Sequence, residues 1–255
     1  MSEDPRRTMR DFWDAKAREN AMYYISSYRP YDRQDADEFW GWGEKLTERY
    51  LAESGIPFTG RERVLEIGCG IGRMTRALAA RFAAVVATDV SEEMVRQARE
   101  HLSGRPNVEV RIGSGVDLAE FPDASFDFVF SYLVFQHIPD PEVTRRYLRE
   151  AARVLAPAGW FLFQINGETK DATAHRHGLV AARRWVARGA GALRRALKSG
   201  ARRGPTGLDS PAWRGSRLPL AEARATCEAA ELEVVRTHGE GTQYLWIAAR
   251  KPDRV

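Results

Sequence analysis

The segment Val64-Leu65-Glu66-Ile67-Gly68-Cys69-Gly70-Ile71-Gly72-Arg73-Met74-Thr75 holds the residues best spaced to do chemistry. Glycines at alternate positions after an apolar run let a backbone turn tightly and let a ligand approach it. A dinucleotide turn of the G-x-G-x-x-G type would need its third glycine where Arg73 stands, so that pattern fails. Glu66, two residues ahead of Gly68, would repel a pyrophosphate but suits a cation. Asp89 follows 23 residues after Glu66, at the end of the next apolar run. A carboxylate there can accept both hydroxyls of a ribose. Together the two acids select a nucleoside with a positively charged tail over a dinucleotide.

On these residues the sequence resembles the class I S-adenosylmethionine (SAM)-dependent methyltransferases, and within them the broad type 11 group. The resemblance runs from about residue 63 to 251 and rests on E-x-G-x-G-x-G followed by the acid after strand two. SAM carries an α-ammonium and a sulfonium and no phosphate, which matches the cationic tail. The resemblance implies cofactor contacts from Glu66, Gly68, Cys69, Gly70, Gly72 and Asp89. It implies that Val90 and Met94 flank the adenine, that Ser114, Gly115 and Val116 lie on its other side, and that Ser131 lies near the methionine moiety. Ser114 stands where relatives often carry Asp, so the resemblance leaves the contact to the adenine amino group open, with Asp117 a less favoured substitute. Ala158 stands where the turn before strand five more commonly has glycine.

Methyl transfer is an in-line displacement at carbon, in which the charge on sulfur disappears. It needs alignment and water exclusion, and a general base only if the acceptor is protonated, as a hydroxyl is. His137, after the fourth strand, is the candidate base, with a role in holding the loop as its alternative. Gln136 is a comparable candidate for orienting the substrate. Tyr23, Tyr24 and Tyr28 form an aromatic stretch that suits either a lid over a sulfonium or packing of N-terminal helices. Trp213 and Arg214, expected in a loop, could line the acceptor pocket or anchor that loop.

These side chains need a scaffold. Short apolar runs at 63–67, 83–88, 108–112, 126–132 and 160–164 read as buried strands, with helical segments at 74–82, after Ser91, and at 141–155 between them. That alternation calls for a parallel sheet covered on both faces. A helix at 219–230 precedes strands at 232–237 and 243–250, whose short connection forces an antiparallel hairpin. The expected fold is therefore α/β: a doubly wound, mostly parallel seven-stranded Rossmann-like sheet with an antiparallel last strand. Residues 1–60 read as an N-terminal helical lid or cap, with the 23–31 stretch as a loop. Residues 61–255 read as the SAM-binding domain, with a basic helical insertion at about 168–218 after strand five.

Composition narrows the function. Of 255 residues, 29% are charged, and no apolar run reaches the length of about 18 that marks a membrane span. The start, MSEDPRRTMRDFWDAK, has no apolar segment of the secretory kind. Cys69 and Cys227 alone give neither a disulfide framework nor a metal pattern, so a reducing cytoplasm is the expected home. The net charge of +4 is local, because residues 172–208 carry nine Lys and Arg and no acid. That block reads first as a solvated face, with a carrier-protein, membrane or RNA surface as alternatives; nucleic-acid binding finds no aromatic platform in support. The leading expectation is a methyltransferase acting on O or N of a small-molecule acceptor. The alternatives are non-methylating SAM chemistry, such as intramolecular displacement, and a non-catalytic SAM-binding protein.

Overall fold

The computed structural model describes residues 5–168 and 204–253. Most of the expected basic insertion, residues 169–203, lies outside the described residues. Two helices come first, α1 (Pro5–Ile25) and α2 (Ala36–Ser54). The alternating part follows: β1 (Arg63–Ile67), α3 (Thr75–Arg81), β2 (Ala84–Asp89), α4 (Glu92–His101), β3 (Val108–Ile112) and β4 (Phe126–Ser131). After a single 3-10 turn at Phe135–His137 come α5 (Pro141–Val154) and β5 (Leu155–Ile165). The described chain resumes with α6 (Pro211–Arg214), α7 (Leu220–Ala229), β6 (Glu233–His238) and β7 (Leu245–Arg250).

The strands form one sheet in the order β3-β2-β1-β4-β5-β7-β6. β1 to β5 run parallel, and β7 is antiparallel to both β5 and β6. The order reverses between β1 and β4, so the ends of those strands open the crevice in which doubly wound folds bind ligands. Both faces of the sheet are covered, which is why its strands read as continuous apolar runs. Leu65, Val129, Phe161 and Phe163 pack on α5 and α7, while Val64, Phe128, Phe130 and Leu162 pack on α2 and α3. Full burial of such side chains contributes about 1.5–3 kcal/mol each before the entropy of ordering them is counted.

Four local features differ from the sequence expectation. Tyr23 and Tyr24 lie in the last turn of α1, not in a loop. Asn20 leaves helical geometry (φ −172°, ψ 81°), yet its Oδ1 accepts the Tyr23 N–H at 3.2 Å, so it caps a restarted turn. Asp89 is the last residue of β2 and not the first beyond it. β5 begins at Leu155, and its pairing with β4 jumps from Phe126–Leu155 to Phe128–Trp160 across a bulge. Ala158 in that bulge has φ +61°, the left-handed conformation that explains the common glycine there. Trp213 and Arg214 lie in the helical turn α6, started by Ser210, whose Oγ accepts the Ala212 N–H at 3.2 Å.

Candidate active site

The glycine turn is tied down by the end of β2. The Thr88 carbonyl accepts N–H groups of both Gly68 and Cys69, at 2.7 and 2.9 Å. Gly68 has φ +76°, and a Cβ there would sit 2.1 Å from Val134 Cγ2. Conformation and space therefore both demand glycine at this position. Cys69 is buried, with Sγ 3.5 Å from the Gly70 carbonyl. Gly72 packs against Leu102, which follows α4.

Asp89 faces this turn. Its Oδ2 accepts the Gly70 N–H and its Oδ1 accepts the Ser91 N–H, each at 2.9 Å. Each oxygen keeps a lone pair for a further donor, the capacity that a ribose diol uses. Burial raises the Asp89 pKa to about 6 against the opposing backbone hydrogen bonds. Glu66 is 2% exposed, and its Oε2 accepts the Thr75 hydroxyl at 2.6 Å. Burial pushes Glu66 up to about 7, although the Thr75 hydrogen bond works the other way. A buried carboxylate at this pKa is held ready for a cation. Ser131 Oγ donates to the Ile67 carbonyl at 3.1 Å and so joins the ends of β4 and β1.

The expected adenine side forms beside β2 and β3. Gly115, at φ +80°, comes so close to Val90 that a Cβ would lie 2.8 Å from Val90 Cγ2. Ser114 Oγ donates to Asp117 Oδ1 at 2.8 Å and accepts the Val116 N–H at 3.2 Å. Half-buried Asp117 thus stands as a carboxylate beside Ser114. Met94 is buried among Ala17, Ala21, Phe39 and Ile71, under the N-terminal helices.

Those helices reach the site through residues that the sequence did not single out. Asp14 of α1 accepts the Ser91 hydroxyl at 2.6 Å and the Glu93 N–H at 3.0 Å, placing an acid at the positive end of α4. Ile25 packs on the glycine turn, its Cδ1 2.7 Å from where a Gly70 Cβ would be. Glu19 binds Lys16 at 2.7 Å, the Tyr24 hydroxyl at 2.7 Å, the Tyr31 hydroxyl at 3.0 Å and the Thr206 hydroxyl at 2.7 Å. Burial opposes the Glu19 charge, but these donors outweigh it and lower the pKa to about 2. The only sequence signal for this hub is the i,i+3 spacing of Lys16 and Glu19.

The acceptor-side candidates divide. His137 packs edge-on to Trp13 at 5.3 Å and tilted against Trp213 at 5.1 Å. Its Nδ1 lies 2.6 Å from the Trp213 carbonyl, which requires the proton on Nδ1. Its Nε2 then accepts from Gln136 Nε2 at 3.2 Å, and Gln136 Oε1 accepts from Gln164 at 3.3 Å. Burial drives the His137 pKa down to about 4. Tyr24 is buried against Trp213 at 5.6 Å, and Tyr23 packs edge-on to Tyr24 at 5.3 Å. Tyr28 is 83% exposed and stacks on Trp42 of α2 instead. Arg214 turns outward to pair with Asp209 at 2.7 Å.

Comparison with known proteins gives this arrangement a class. Residues 65–163 match the methyltransferase domain family of type 11. The ubiquinone biosynthesis O-methyltransferase of Paracidovorax citrulli is 36% identical over 117 residues, 45% of this chain and 48% of that protein. The trans-aconitate 2-methyltransferase of Mycolicibacterium gilvum is 38% identical over 129 residues, 49% of this chain and 46% of that protein. The chain thus spans about half the length of these relatives. Among solved structures, phosphoethanolamine N-methyltransferase 1 of Haemonchus contortus, in complex with phosphoethanolamine and S-adenosylhomocysteine, superposes with a TM-score of 0.61. It is 16% identical and covers 100% of this chain and 50% of its own. Residues 65–163 therefore carry a SAM-dependent methyltransferase domain of the type 11 kind. Among the described residues no helix is long and apolar enough to cross a membrane.

Proposed function

We propose that the protein transfers the methyl group of SAM to an oxygen or nitrogen of a small-molecule acceptor. The observation that carries this reading is the pair of buried acids about the glycine turn. Asp89 is aimed by the Gly70 and Ser91 N–H groups, and Glu66 by the Thr75 hydroxyl. Asp89 would hold the ribose hydroxyls, Glu66 the cationic tail, and Gly68, Cys69, Gly70, Gly72 and Ser131 the backbone cradle around it. Val90, Met94, Ser114, Gly115 and Val116 would enclose the base, with Asp117 taking its amino group. When bound, SAM supplies an activated methyl carbon on a sulfonium; the protein supplies alignment and exclusion of water. Residues 1–60 act as the cover: Asp14 and Ile25 close over α4 and the glycine turn, and Tyr23 and Tyr24 back that cover.

His137 has two possible tasks, and its geometry favours one. A base for a hydroxyl works best with a pKa near working pH. This imidazole is pushed to about 4 and its free nitrogen already accepts from Gln136. We read His137 as a positioning residue that fastens the turn after β4 to α6. An acceptor nucleophile that arrives unprotonated, a neutral amine or an ionised oxygen, needs no more.

Calorimetric titration with SAM and with S-adenosylhomocysteine tests the reading. Micromolar binding of both is expected, and Asp89→Asn should weaken it tenfold or more by roughly the loss of a charge-assisted hydrogen bond. Failure of the wild type to bind either would overturn it. SAM consumed with no methylated product, in a screen of small amines, phenols and carboxylic acids, would move the assignment to non-methylating chemistry.

A further inference from the structure

The α2 side of the sheet has a hollow that nothing described so far uses. Its floor is Leu162 of β5 with Trp246 and Ala248 of β7, and its wall is Tyr50 of α2. The empty volume is about 310 Å³ with the mouth included. That is the small end of ligand sites, roughly 300–1,000 Å³, and suits a molecule of one or two rings. The Tyr50 and Trp246 rings meet at 4.3 Å and 40°, so the lining is largely aromatic. Strand pairing brings charge to the rim. β6 pairs Val234 with Ala249 but Arg236 with Ala248, so Val235 is the extra residue of a bulge. Without the bulge Arg236 would fall on the opposite face of β6. With it, Arg236 and His238 stand beside Ala248 and Trp246 on the α2 side, at the mouth of the hollow.

Arg236 Nη1 donates to the Glu53 carbonyl at 2.9 Å and so closes the C-terminal end of α2. Gly55, at φ +71°, makes way for it, since a Cβ there would lie 3.2 Å from Arg236 Cζ. That bond uses one of the five donors of a guanidinium. Among the described residues no carboxylate pairs with Arg236, and the acid at the rim, Glu53, is taken by Arg49 at 2.8 Å. Aromatic walls under a planar cation with donors to spare match a flat ring that carries a carboxylate. One side chain joins the hollow to the crevice. Tyr132, directly after Ser131, stacks on Trp246 at 5.4 Å and 8°, and its hydroxyl lies 3.3 Å from that of Tyr50. Buried Arg73, next after Gly72, hydrogen-bonds to Tyr132. A molecule wedged against Tyr50 and Trp246 therefore presses on the ring that stands between the hollow and the glycine turn.

We propose that this hollow is a second ligand site, for a small planar aromatic acid, and that Tyr132 links its occupation to the SAM crevice. The ring would lie against Trp246 and Tyr50, and the carboxylate on Arg236. The link, though not the site, rests on the reading that the glycine turn holds SAM. Whatever factor the acid imposes on cofactor affinity, the cofactor imposes on the acid.

Indole-3-propionate and neutral indole serve as probes, and proton–nitrogen correlation spectra report the Trp246 indole N–H, assigned by its loss in Trp246→Phe. Indole-3-propionate should shift that signal and saturate. Arg236→Gln keeps a donor for the Glu53 carbonyl but not the charge. It should weaken indole-3-propionate about 3- to 10-fold, as for an ion pair open to water, and leave indole unchanged within twofold. Ala248→Leu fills the floor and should abolish binding of both; if it does not fold, Arg236→Gln carries the comparison. Saturating indole-3-propionate should change the affinity for S-adenosylhomocysteine by about fivefold or more, the lower end of coupling between sites. No shift of the Trp246 signal, or probes that Arg236→Gln does not distinguish, would overturn the site. A smaller change in S-adenosylhomocysteine affinity would overturn the link. Wild type that does not bind S-adenosylhomocysteine at all refutes the SAM reading and with it the link, whereas the Trp246 signal still decides the site. Probes that fail to bind, together with a dimer that Arg236→Gln dissociates in light scattering, would give this face to a second copy and overturn the proposal.

Discussion

The buried Glu66 predicts that cofactor affinity depends on pH with a definite sign. Burial raises its pKa to about 7, so near neutrality the empty site holds it partly protonated. A cationic ligand needs the ionised form, and binding must therefore expel a proton. At pH 6 a group with this pKa is ionised in roughly one molecule in eleven, and at pH 7.4 in roughly seven of ten. Affinity for S-adenosylhomocysteine should therefore be about eightfold weaker at pH 6 than at pH 7.4, below the range where an α-amino group loses its own proton. Asp89, raised to about 6, adds up to roughly twofold in the same direction. Calorimetry in two buffers of different ionisation enthalpy counts the released proton directly. Glu66→Gln should bind more weakly and keep only the small residual slope from Asp89. Thr75→Val removes the donor that lowers the Glu66 pKa, so it should move the midpoint to higher pH. The ligand-free protein has the opposite dependence. Its native state holds a proton that the unfolded chain has lost, so stability falls as pH rises from about 4.5 to about 7. A flat affinity profile in the wild type, or a full slope retained by Glu66→Gln, would refute the reasoning.

Three further outcomes are expected. His137→Asn keeps a donor for the Trp213 carbonyl, so it should retain most turnover, whereas His137→Ala should lose turnover and lower the melting temperature; equal loss in both would restore the base role. Ala158→Gly relieves a left-handed alanine at φ +61°; relief of about 1–2 kcal/mol, less the greater freedom of glycine when unfolded, should leave a net gain of ~0.5 kcal/mol in denaturant unfolding. Ser91→Ala removes the cap on α4 and the Asp14 contact together. It should cost about 1 kcal/mol and speed hydrogen exchange in α1, while S-adenosylhomocysteine affinity stays within threefold because Asp89 still accepts the residue 91 N–H.

The parallel part of the sheet was legible because its strands are short, apolar and buried on both faces. β1 stops ahead of Gly68 and β2 ends on Asp89, residue types that disfavour extension of a strand. The same locality places Glu66, Gly68, Gly70 and Asp89 together at the strand ends, which in this topology fall at the crevice. Of the aromatic stretch, residues 26–31 form the expected loop, while Tyr23 to Ile25 belong to α1 because Asn20 both breaks that helix and restarts it, and the rescuing bond to the Tyr23 N–H has no compositional signature. Trp213 and Arg214 look like loop residues until the Ser210 cap starts a turn of only four residues, Pro211–Arg214.

Contacts made across the chain could not be read in advance, and they decide how the site is closed. Ser91 gives its N–H to Asp89 and its hydroxyl to Asp14, so one residue joins the expected ribose acid to the cover. Thr206 gives its hydroxyl to Glu19 and its carbonyl accepts from Tyr24, so the segment before α6 is fastened to α1. α6 in turn gives its Trp213 carbonyl to His137, after β4. Separations of 77, 187 and 76 residues along the chain close this circuit. α1, the segment leading into α6 and the turn after β4 are therefore joined by hydrogen bonds. Arg73 belongs to the same lesson: it is buried against α2, where Gly43, thirty residues earlier in the chain, leaves room for its stem.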